Sequence, residues 1–165
     1  MKELIVQCAE YNVWANNRII NLLLKLEPGI AEKELTSSFP TLKATVIHMW
    51  SAESIWLQRL QLTEHPQWIQ NSFAGSFEEA CLECQKTSSI IEEFVKNQYD
   101  DRSFSHIVQF YDWKKLAHKM PVFQVLHHIF NHSTYHRGQL TTMLREAGIK
   151  EIPMTDFIVF AMKLK

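Results

Sequence analysis

Apolar residues recurring every three to four positions over windows of about twenty residues limit this chain more than anything else in it. Leu4, Cys8, Tyr11, Val13-Trp14, Ile19-Ile20 and Leu22-Leu24 follow a helical period from about residue 2 to 27, where Pro28-Gly29 breaks it. A second run follows Ser37-Ser38-Phe39-Pro40 and extends to about Leu62; Pro40 suits a first helical turn and a serine suits the cap. Residues 63 to 75 lack periodicity and read as a loop. Ser76 with Glu79 three residues on is a capping box that opens a third helix to about Asn97. Between Tyr99 and Met120 the pattern is weak, with Ile107-Val108-Gln109-Phe110-Tyr111 a candidate extended piece. A fourth run begins at Pro121 and continues to Ala147, where Gly148 suits a left-handed cap, and Thr155-Asp156 begins a short helix through Met162. These runs predict an all-α four-helix bundle with long connections and a short C-terminal helix.

At 165 residues the length fits one domain, residues 1–165. Apolar content of 46% and charged content of 21% are ordinary for a globular chain and exclude the disordered classes. With 17 Lys and Arg scattered against 18 Asp and Glu, no basic patch advertises a nucleic-acid partner. The first residues carry too short an apolar run for a signal peptide, and no stretch reaches the roughly 20 apolar residues of a membrane span. A cytoplasmic location is expected, and Cys8, Cys81 and Cys84 are expected as reduced thiols.

The fourth run carries His132 and His136, four residues apart and so on one helix face about 6 Å apart along the axis. Neutral imidazoles so spaced close on one metal ion with bonds of about 2.0–2.1 Å. His48, in the apolar stretch Val46-Ile47-His48-Met49-Trp50 of the second run, is a candidate third ligand from another helix. Three histidines leave coordination positions open, the arrangement of a catalytic site. His128 extends the stripe, but it lies about 12 Å along the axis from His136, too far for both to share an ion. Spacing therefore leaves two pairs open, 128/132 and 132/136. His127 points about 100° away from His128 and reads as a flank; His65, His106 and His118 lie in or near loops without evident partners.

Other features read as structural. Cys81-x-x-Cys84 is a single pair inside a helix, with no second ligand pair to make a zinc or redox motif. Trp14, Trp50, Trp56, Tyr11 and Phe123 are expected in the core, some of them lining an apolar pocket over the metal, and the mixed-charge segments 78–101 and 145–151 read as solvated faces. By helical angle, Glu53 lies about 140° from His48 and Arg137 about 100° from His136, so both are expected to pair helices. Glu53, Asn131 and Gln139 are candidates to orient the ligating rings by accepting their second N–H.

Several motifs together carry a resemblance. They are Tyr11-Asn12-Val13-Trp14-Ala15-Asn16, Ser38-Phe39-Pro40-Thr41-Leu42 leading to His48, Ala52-Glu53, and Trp56-Leu57-Gln58-Arg59-Leu60. Asn131-His132, Tyr135-His136-Arg137-Gly138-Gln139 and Thr155-Asp156 complete the set. Over nearly its whole length the chain resembles the DinB/YfiT-like family of metal-dependent enzymes, which is unrelated to the DNA polymerase sharing the DinB name. The resemblance implies a helical bundle, often a homodimer, with a divalent metal on His48, His132 and His136, leaving His128 outside. Zinc and nickel are the expected ions, although three imidazoles also suit copper or iron.

Relatives in the wider family include S-transferases and isomerases that use bacillithiol, mycothiol or glutathione. The resemblance therefore implies a metal-dependent transferase that activates such a thiol for attack on a small electrophile. Rival readings are a metal-dependent hydrolase, for which no general base can be named, and a non-catalytic metal-binding or stress-response protein.

Overall fold

In a computed structural model describing residues 1–163, the long apolar stripes become four helices: α1 (Lys2–Leu23), α2 (Leu42–Leu60), α3 (Phe77–Gln98) and α4 (Val122–Glu146). A two-stranded hairpin, β1 (Ile107–Tyr111) and β2 (Ala117–Pro121), precedes α4, and the short α5 (Phe157–Ala161) follows it. The fold is mostly helical, and the hairpin corrects the all-α expectation. β1 carries the β-branched and aromatic residues that favour strands. Its partner is set by a turn in which Asp112 Oδ1 accepts from the backbone N–H of Lys114 and Leu116, with Lys115 at φ 61°. The antiparallel register pairs Ile107 with Pro121 and Tyr111 with Ala117.

Element ends follow local chemistry. α1 stops short of the expected residue 27: Lys25 and Leu26 bond back to Leu22 and Leu23, a tightened i→i+3 turn. The residue before Pro28 is disfavoured in the α region, which turns the chain out before the proline. α2 is capped by Thr41, whose hydroxyl accepts from Ala44 N–H at 3.0 Å, rather than by a serine. Pro40 lies outside the helix, its carbonyl accepting from Leu35 N–H at 2.8 Å. The expected capping box of Ser76 and Glu79 is present in both directions. Gly148 takes the left-handed φ of 92° past the end of α4.

α1 packs against α3 and α4, and α2 also packs against α3 and α4. Their buried faces form two apolar clusters. Ile19, Leu23, Leu42, Met49, Cys84 and Leu140 lie in one; Ile5, Leu57, Ile91, Phe104, Leu126 and Ile129 lie in the other. Between these levels of the helices sits a buried polar layer. Glu53 on α2 accepts from Asn12 and Asn16 of α1, from Ser88 of α3 and from Ser133 of α4, at 2.6–3.1 Å. Arg137 of α4, 1% exposed, donates to the side-chain oxygens of Asn12 and Asn16 at 2.9 and 2.7 Å. Charge and counter-charge are thus bridged through two asparagines, as an isolated buried ion could not be tolerated. Glu53 and Arg137 do pair helices, as their angular positions predict.

Trp50 is buried with its indole N–H on Thr87, while Tyr11 and Trp14 pack under α5 against Phe160. Cys81 and Cys84 are free and buried, and burial pushes the Cys81 thiol up to about 12 and raises Cys84 as well. They are core thiols, in keeping with a plain helical reading. No helix of the described residues is long and apolar enough to cross a membrane.

Candidate metal centre

His132 and His136 share one face of α4, and α2 packs against that helix so that His48 meets them. His132 Nε2 lies 3.3 Å from His48 Nε2 and 3.1 Å from His136 Nε2. Among the described residues these three histidines form the cluster able to hold an ion, with all candidate ligand atoms within 4.8 Å of one another. Two nitrogens bound to one ion at about 2 Å lie about 3 Å apart, so the spacing is already that of a shared ligand set.

The outer nitrogens explain why the rings point inward. His48 Nδ1 donates to Gln70 Oε1 at 3.1 Å, and His136 Nδ1 donates to Gln139 Oε1 at 2.7 Å. Gln139 is held in turn, its amide N–H groups donating to Ser38 Oγ and Tyr135 Oη. With Nδ1 carrying the proton, the Nε2 atoms of His48 and His136 present lone pairs toward His132. A single N–H on His132 cannot satisfy both. A cation satisfies all three, so the donor set fits a divalent metal.

Electrostatics agree. Burial holds the His132 pKa at about 3, helped by repulsion from His136, His48 and His128, and burial also lowers those of His48 and His136. The rings are therefore neutral, the state that ligates a metal. Phe39 stacks on His48 with centroids 4.2 Å apart, and Tyr135 packs edge-on to His136.

The structure brings together His48, His132 and His136, which favours the 132/136 pair. His128 stays outside, its ring against Trp56 and 5.6 Å from that of His132. His65 and His127 are exposed, and His118 pairs with Asp112 at 2.9 Å. Of the candidates to orient the rings, Gln139 does so. Glu53 does not, because its oxygens are taken by Asn12, Asn16, Ser88 and Ser133. Asn131 is exposed and makes no such contact. The rings packed on the three histidines are Phe39 and Tyr135, not those of the five core aromatics, some of them expected to line a pocket there. Gln70, in the aperiodic segment after α2, carries no sequence signal; Ser38, Phe39 and Tyr135 lie inside the motifs of the resemblance.

Fold and site together define a mostly helical protein with a three-histidine centre suited to a divalent ion. The chain belongs to the DinB family, whose model matches residues 1–162. It is 29% identical over 174 residues to Protein DinB of Bacillus subtilis (strain 168), across 100% of this chain and 98% of that relative. It also resembles the crystal structure of a DinB-like protein from Bacillus cereus ATCC 10987, with a TM-score of 0.72 at 20% identity, across 92% of this chain and 95% of that one. That likeness establishes the fold.

Proposed function

We propose that the four long helices form a four-helix bundle serving as the scaffold of a metal-dependent transferase, which joins a low-molecular-weight thiol of the bacillithiol class to a small electrophile. The observation that carries the metal is the convergence of three ring nitrogens at 3.1 and 3.3 Å. Family membership supports the thiol chemistry. A bound zinc or nickel ion supplies a Lewis acid with open positions, which lowers the pKa of a thiol placed on it.

The chain's own residues do the rest. His48, His132 and His136 hold the ion, and Gln70 and Gln139 keep the ligating nitrogens unprotonated and aimed. Phe39 and Tyr135 wall the cluster with apolar surface. The outer partners of His48 and His136 are amides, which do not take up protons at neutral pH, so the thiol proton would leave to solvent, and as the new C–S bond forms the electrophile's leaving group would depart with its electron pair. A thiol is far more acidic than water before either meets an ion, so it is the nucleophile that would need a protein base least. The proposal extends to a cytoplasmic homodimer, the setting in which the three free cysteines stay reduced.

The test is conjugation by metal-loaded protein of bacillithiol, mycothiol and glutathione to 1-chloro-2,4-dinitrobenzene and a panel of other electrophiles, with and without chelator. Chelator-sensitive acceleration with one thiol is the expected result. Acceleration with none of them overturns the transferase. Ester or amide hydrolysis without thiol would mark the hydrolase, and metal binding without any turnover the stress-response reading.

A further inference from the structure

A groove of about 1070 Å³ opens between the segment after α2 and the outer end of the hairpin, lined by Trp56, Arg59, Gln70, Phe110, Tyr111 and Trp113 among others. Ligand pockets run to about 300–1,000 Å³, so a small molecule has room here. The Arg59 guanidinium lies 4.4 Å from the Trp56 ring centre and 5.0 Å from that of Phe110. It donates to the Tyr111 carbonyl at 3.0 Å, and its other N–H groups have no protein acceptor among the described residues. Arginine has five such donors in a fork that matches a carboxylate, and no carboxylate of the described residues pairs with this one. Burial against the rings lowers its pKa, the mark of a cation part-stripped of water.

The two acids of the lining are otherwise placed. Asp112 is engaged by the backbone of Lys114 and Leu116 and by His118, and Glu64 is 89% exposed. They weigh against a dianionic phosphate, leaving a monoanion as the better match. Trp113, 86% exposed, offers a bare indole at the rim. Leu62 and Lys115, at φ 58° and 61°, are the non-glycine residues of the described chain in the left-handed region, and both line this groove. Such strain gathers at ligand clamps. Two residues of its wall adjoin the histidine cluster: Gln70 accepts from His48, and Trp56 meets the ring of His128, which in turn faces His132.

We propose that this groove binds a small carboxylate with a flat apolar body, the carboxylate on Arg59 and the body against Trp56, Phe110 and Trp113. That the occupant is the electrophilic substrate rests on the transferase reading; the binding does not. The probes are 2-naphthoate and its neutral isostere 2-naphthamide, titrated calorimetrically into metal-loaded full-length protein. The naphthoate should bind, and the amide about tenfold more weakly, the scale of a charge-assisted hydrogen bond. Arg59→Gln should abolish that preference, with Arg59→Lys between. Trp113→Ala, at a site too exposed to affect folding, should weaken both probes. His132→Ala, stripped of metal, should still bind naphthoate. The proposal is overturned by equal affinity for the two probes, by no effect of Arg59→Gln or Trp113→Ala, or by loss of binding in His132→Ala, which would put the carboxylate on the ion. Naphthoate binding without thiol conjugation upholds the groove and sinks only the transferase.

Discussion

His136 and Gln139, one turn apart on α4, are joined at 2.7 Å between Nδ1 and Oε1, and the same amide is held by Ser38 and Tyr135. This ties the connection before α2 to the ligand helix and fixes which ring nitrogen is free. Gln139→Leu should lower metal affinity by about 10–100-fold, the usual effect of losing the outer partner of a ligating histidine. Because Gln139 is only partly buried, the melting temperature of the metal-free variant should barely move. Competition against a metallochromic chelator measures the affinity, and an unchanged value would remove Gln139 from the centre.

His132 lies between the other two clustered histidines, His48 and His136, whereas His128 packs only against the rings of His132 and Trp56. His132→Ala should abolish stoichiometric metal uptake, and His128→Ala should leave it intact. Elemental analysis of both proteins after loading and desalting decides. Metal lost on His128→Ala and kept on His132→Ala would restore the pairing that spacing alone allowed.

Glu53 accepts four hydrogen bonds from three helices, and Arg137 answers it through Asn12 and Asn16. Removing the carboxylate leaves a buried guanidinium without its counter-charge. Glu53→Ala should therefore cost about 3–5 kcal/mol, the range for breaking a buried pair by deleting one partner. Replacing Glu53 and Arg137 together by Gln and Met should cost less than the sum of the two single changes. Urea denaturation of the metal-free proteins gives these values; additive losses would mean that the two charges do not communicate.

These elements differ in how far the sequence announces them. The helices are legible because a 3.6-residue period repeats over whole stripes, and the Ser76 capping box is a purely local signal. β1 is visible in Ile107-Val108 and Phe110-Tyr111, but β2 reads Ala117-His118-Lys119-Met120-Pro121, with no strand composition; its pairing comes from the Asp112 turn. The His132/His136 pair is local too, while His48 joins it only once α2 packs on α4. Gln70 is invisible because its position depends on its N–H meeting Ser51 Oγ at 2.7 Å, a contact between a loop and a helix. Glu53 shows the limit of helical angles: they told that it faces away from the histidines, not that three helices present amides and hydroxyls to it.

The same histidines make stability depend on pH in a defined direction. An ordinary histidine titrates near 6.5, and in the folded chain burial lowers His48 and His136 below that and His132 to about 3. Between these values the unfolded chain binds more protons than the folded one, so stability rises with pH through the window and is lost as pH falls through it. The surface carboxylates Asp100 and Asp101 and the half-buried Asp112 are held low by hydrogen bonds and act in the same direction, but only below the ordinary carboxylate range. The interval from pH 7 to pH 5 therefore isolates the histidines. Metal-free protein should melt at a lower temperature at pH 5 than at pH 7, and His132→Ala should shrink that difference because it deletes the most depressed group. A melting temperature that holds steady across this interval would mean that the histidine rings, His128 among them, take up protons in the folded chain as readily as in the unfolded one, and the depression assigned to burial would be lost.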